Sequence, residues 1–114
     1  MTQLDWTGAI ARAQAHSPFL SGLLEREEAL TALLAEGRGE EAMGFARAAG
    51  ADAPDIPCAL RRERRALALA LAIGDLAGAF DLTRVTGELS DFADRALDAA
   101  ITHAIHTRMP DAEP

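Results

Sequence analysis

Apolar positions recur at spacings of three and four along most of this chain, and the breaks between runs carry Gly, Pro, Ser or Asp. That rhythm predicts helices. A first helix is expected from about Asp5 to Ala15, carrying Trp6 and Ile10. Ser17-Pro18 then reads as an N-cap followed by proline at the first helical position, where its missing N–H costs nothing. Phe19, Leu20, Leu23 and Leu24 form one stripe and Leu30, Leu33 and Leu34 another, on either one helix or two. Gly37-Arg38-Gly39 closes this stretch. Glu40-Glu41 opens the next helix, since acids favour a helix N-terminus, and that helix runs through Met43 and Phe45 to about Gly50.

Two prolines and two aspartates make Ala51 to Pro57 a loop. A helix is expected from about Pro57 to Ile73, interrupted by Gly74-Asp75, with a short turn or helix over Leu76 to Phe80. Asp81 suits the N-cap of a last helix reaching about Thr107, with Pro110 as its stop. Leu67, Leu69, Leu71 and Ile73 alternate as a strand would, but the alanines between them make the run continuously apolar. That is the signature of a helix buried on all sides. The whole pattern predicts an all-α fold: a compact helical bundle of about five or six helices, forming a single helical domain over residues 1–114.

Composition refines this picture. Among 114 residues there are 26 alanines, four Phe and one Trp, so the core must be built mainly from small side chains. Helices tolerate this, because alanine has the best helix propensity and permits close approach. A β-sandwich would want more β-branched and aromatic residues. The net charge of −7 argues against nucleic acid or an anionic membrane as partner. No lysine occurs, which excludes lysine as Schiff-base former, general base or phosphate clamp. Cys58 is the only cysteine, so no intrachain disulfide can form. No signal peptide opens the chain, and the longest apolar run, Ala66 to Ile73, falls far short of the roughly 20 residues of a bilayer span. A soluble, cytoplasmic protein is expected.

Arg61, Arg62, Arg64 and Arg65, with Glu63 among them, concentrate positive charge in an acidic chain. At 100° per residue Arg64 falls on the stripe of Leu60, Leu67 and Leu71, while the other three fan out opposite. Two readings stay open: a solvated cluster pairing with the abundant acids, or an Arg64 anchor holding a carboxylate or phosphate. In the last helix Asp91, Asp94 and Asp98 share a face, and Asp91–Arg95 is a favourable i,i+4 pair. These acids lack the spacing of a catalytic carboxylate pair on a strand. His103 and His106 lie three apart, as two metal ligands can, but lack nearby partners for a four-ligand site; His103 is expected half-buried with Val85, Leu89, Phe92 and Ala96. Gly37 to Ala42 matches the letters of a dinucleotide fingerprint without the strand that chemistry needs. Cys58, near a helix start, has no base beside it. Finally, Ile101 and Ile105 rotate away from the apolar face kept from Leu82 to Ala100, and two readings stay open: a missing partner surface, or a slight bend of the helix under its own bundle.

The run from Leu60 to Ile105, above all LRRERR and AIGDLAGAFDLTRVTGELSDFAD, resembles the helical segment near the N-terminus of the bacterial glutamine synthetase adenylyltransferase/adenylyl-removing enzymes. Ser17-Pro18-Phe19-Leu20 and the leucine-rich stretch after it resemble an earlier part of the same family. The resemblance implies a parent that attaches AMP to a tyrosine of glutamine synthetase and removes it by phosphorolysis. It also implies Mg²⁺ and ATP for the full-length enzyme, and a PII-type nitrogen signal protein and glutamine as regulators. In that family the segment precedes the first nucleotidyltransferase domain, whose site rests on a Gly-rich turn with lysine and a Ser-Asp-x-Asp strand. No position here matches either element, so no catalytic, cofactor or metal residue carries over. The expectation is a fragment inactive alone, packing against the missing nucleotidyltransferase domain, with Arg61, Arg62, Arg64, Arg65, Ile101 and Ile105 as its possible interaction surface. An independent small helical interaction or adaptor protein is the alternative.

Overall fold

A computed structural model of the chain describes residues 4–108. Six helices follow one another without a strand among the described residues: α1 (Trp6–His16), α2 (Pro18–Arg26), α3 (Glu28–Ala35), α4 (Gly39–Arg47), α5 (Ile56–Leu76) and α6 (Leu82–Arg108). The all-α expectation holds, and local chemistry explains most of the boundaries. Asp5 accepts from the Gly8 N–H, Ser17 from Leu20, Asp55 from Cys58 and Asp81 from Arg84, so four helices start on a side-chain cap. Pro18 occupies the first turn of α2 as expected. The two leucine stripes belong to separate helices, parted at Glu27, whose backbone (φ −101°, ψ 62°) leaves the helical region. The stop expected at Pro110 lies outside the described residues.

One boundary differs. Gly74 does not interrupt α5, which continues to Leu76. A Cβ at position 74 would lie 2.0 Å from Cδ2 of Phe80, so the glycine is there to seat that ring. The reversal comes at Gly78, with φ +81°, where the Ala79 and Phe80 N–H groups donate back to the Gly74 carbonyl. Packed edge-to-face on Trp6 at 6.1 Å, Phe80 ties this turn to α1.

Helix α5 is the axis of the bundle and packs against every other helix. Its Ala66, Leu67, Leu69, Ala70, Leu71 and Ile73 are buried, as expected of a continuously apolar helix. Leu30, Leu34 and Met43 fill the remaining space, and small residues (Ala9, Ala13, Ala42, Ala46) allow close approach. At 27 residues, α6 is about 40 Å long and longer than the 21-residue α5 it folds back on. It stretches the molecule to 56 × 27 × 22 Å.

Candidate interaction surface

The arginine cluster lies on the first half of α5, beside α2. Arg64 is exposed, contrary to the stripe on which periodicity placed it. The buried ionisable residue of this stretch is its neighbour Glu63, 8 % exposed, which sequence reasoning passed over. The reason is geometric. Helix α6 meets α5 at Glu63 through Arg95, and one step of 100° turns Arg64 toward the α2 side. Glu63 Oε2 lies 2.7 Å from Nη1 of Arg95 in α6, an ion pair without the alignment of a hydrogen bond. Arg95 therefore serves an interhelical contact and not the expected Asp91 pair.

Among the described residues, pairing of the cluster with surrounding acids is also not found, save for Arg62, 3.7 Å from Asp52. Arg61, Arg64 and Arg65 instead converge with Arg26 of α2 on a shallow groove of about 250 Å³, whose apolar floor includes Leu23 and Ala68. Phe19, expected in the core stripe of α2, stands 68 % exposed at the rim of this groove. Its helix buries Leu23 and Leu24 and turns position 19 outward.

A second cluster, also unforeseen, fixes the start of α6. Arg84 donates from both Nη atoms to the two carboxylate oxygens of Glu40, at 2.9 and 2.7 Å, and from Nε to Glu88 at 3.3 Å. Arg47 of α4 donates to the same Glu88 oxygen at 2.6 Å, and the Arg84 guanidinium stacks 4.8 Å over Phe80. The Glu40 carboxyl is held below the usual glutamate range, first by the hydrogen bonds from Arg84, against an opposing effect of burial, with attraction to Arg84 and Arg47 adding to it. The same hydrogen bonds raise the proton affinity of Arg84. Only charge spacing across two helices in space could have disclosed this network, and the linear sequence does not contain that.

Beyond this anchor every residue from Ala100 to His106 is exposed. Leu97, Ile101 and Ile105 are 60, 50 and 37 % exposed. His103, expected half-buried, is exposed. His106 is exposed as well. Among the described residues no three His, Cys, Asp or Glu side chains come together as a cation site would require. None of the described helices is long and apolar enough to cross a membrane.

Comparison with known proteins finds relatives in sequence. The chain is 42 % identical over 113 residues to the bifunctional glutamine synthetase adenylyltransferase/adenylyl-removing enzyme of Caulobacter vibrioides, a match covering 92 % of the chain and 11 % of the relative. It is 43 % identical over 97 residues to the enzyme of the same description from Rhizobium meliloti, covering 82 % of the chain and 10 % of that protein. The counterpart from Xanthobacter autotrophicus is 48 % identical over 56 residues, covering 49 % of the chain. The chain thus spans about a tenth of the length of the first two relatives, and its resemblance to this enzyme family runs through nearly all of it. No family model matches, and no solved structure matches.

Proposed function

We propose that this chain, kin over most of its length to the bifunctional glutamine synthetase adenylyltransferase/adenylyl-removing enzymes, is the helical module that precedes the first nucleotidyltransferase domain in such an enzyme. Its work is to pack against that domain. It supplies no reacting group and is inactive alone. On this reading the parent's substrate is glutamine synthetase, and Mg²⁺ and ATP are bound by its nucleotidyltransferase domains. A PII-type protein regulates it, and the setting is the bacterial cytoplasm.

The observation that carries the reading is the bare apolar edge of α6. Leu97, Ile101 and Ile105 recur every four residues, lie beyond the reach of α1 to α4, and stay substantially exposed. Burying what remains exposed of three such side chains against a partner stabilises it by roughly 0.5–2 kcal/mol each. A segment homologous to a small part of a long enzyme has such a partner at hand in the remainder of that enzyme.

The test is complementation in trans. The chain is mixed with the separately expressed remainder of the parent enzyme, and phosphate-dependent release of AMP from adenylylated glutamine synthetase is followed. A rate above that of the remainder alone supports the module. Absence of both rate gain and binding would overturn it. A stable homodimer burying Ile101 and Ile105 would replace it with the independent adaptor.

A further inference from the structure

The groove between α2 and α5 has a property that the bare edge of α6 does not share. Arg12, Arg38, Arg47, Arg62, Arg84 and Arg95 each hold a carboxylate within 4.0 Å. Arg26, Arg61, Arg64 and Arg65 do not: among the described residues none of the four makes an ion pair, a side-chain hydrogen bond or a ring contact. In a chain of net charge −7, carboxylates are plentiful, yet four guanidiniums that share one groove are left without one. Beside them Phe19 exposes two thirds of its surface.

We propose that this groove is a docking site for an acidic amphipathic helix of a protein partner. Three features select that occupant. Arg61, Arg64 and Arg65 sit at i, i+3 and i+4 on α5, and the groove runs to Ala68, about 10 Å or two helical turns. An approaching helix with acids one turn apart meets that ladder in register, and each guanidinium fork can take a carboxylate bidentately. Phe19 and Ala68 provide the apolar surface on which such a helix lays its leucines. The volume, about 250 Å³, lies below the usual range of small-molecule pockets, so a free nucleotide would remain mostly uncovered. The acidic remainder of the molecule opposes a long polyanion such as nucleic acid but not a short acidic segment seated locally.

The site is distinct from the bare edge of α6, so the proposal stands or falls separately from the module assigned above. The probe is a synthetic fifteen-residue amphipathic peptide with glutamates flanking a stripe of leucines, titrated into the ¹⁵N-labelled full chain. Amide shifts are expected to move around residues 19–26 and 60–68, with affinity falling on going from about 50 to 300 mM salt. The double variant Arg61→Glu/Arg64→Glu should bind at least about tenfold more weakly. Both positions are exposed, and unchanged helicity with the wild-type denaturation midpoint shows that the fold is intact. The same peptide with lysine for glutamate should not bind, and serine for leucine should weaken binding. Binding of the lysine peptide, indifference to the double variant, or no binding at all overturns the proposal. Tighter binding of a duplex oligonucleotide or pyrophosphate at these amides would reassign the groove to phosphates. Self-association abolished by the double variant would reassign it to a second copy of the chain.

Discussion

Gly74 and Gly87 are both helical glycines, yet a methyl group on each would have opposite consequences. At position 74 the added Cβ would strike the Phe80 ring at 2.0 Å, and the ring is held by Trp6 and by Gly78's turn, so it cannot retreat cheaply. Gly74→Ala should destabilise the fold by about 1–3 kcal/mol. Gly87 in α6 has nothing within 4 Å of that point, so Gly87→Ala should stabilise by roughly 0.5–1 kcal/mol through helix propensity alone. Chemical denaturation followed by fluorescence of the single tryptophan, Trp6, reports both, and equal effects would refute the role given to Phe80. The pair Glu63–Arg95 offers a second contrast at this scale. Arg95→Ala leaves a buried carboxylate without its partner and should cost about 1–3 kcal/mol. Adding Glu63→Gln should recover most of that loss, since a neutral amide there carries no unpaired charge. Independent, additive losses in the double-mutant cycle would mean that the ion pair does not matter. Neither Glu63 nor Phe19 was legible at its true depth from the sequence. Residue type and helical period describe a face, but which face is covered depends on where the neighbouring helices end.

At the scale of elements, helix starts were readable and helix seams were not. Ser17 and Asp81 cap within three residues of themselves, so their chemistry is written locally. The Glu40–Arg84–Glu88–Arg47 network joins α4 to α6 across more than forty residues of sequence and carries no local signature. It makes α6's attachment dependent on pH in one direction. Because Glu40 is more acidic in the folded chain than in the unfolded one, the unfolded state takes up more protons as pH falls. The contribution is therefore complete above the ordinary glutamate value near 4.3 and is lost as pH drops through the lower folded value. The carboxylate is well exposed, so the amount is small, about a few tenths of a kcal/mol. Wild-type stability should fall more steeply than that of Glu40→Gln between about pH 5 and 3, and parallel curves would contradict this reading.

For the molecule as a whole, α6 divides into an anchored beginning and a bare end. Amide hydrogen exchange should find Val85 to Ala96 protected to nearly the level of α5, and the stretch beyond Leu97 exchanging much faster in the isolated chain. In the presence of the remainder of the parent enzyme, protection should extend to Ile105. Ile101→Glu should leave the isolated chain's stability within about 0.5 kcal/mol while abolishing that extension. Uniform protection along α6 in the isolated chain would remove the argument for a missing partner surface. The sequence by itself determined the helical class, the caps, the buried run of α5 and the kinship, because periodicity, capping and identity are properties of neighbouring letters. Only the tertiary structure decided that Gly74 seats a ring, that Glu63 and not Arg64 is buried, and that four arginines share an unpaired groove. Those outcomes depend on which helix lies beside which, and on helix lengths that leave one side of α5 and one end of α6 uncovered.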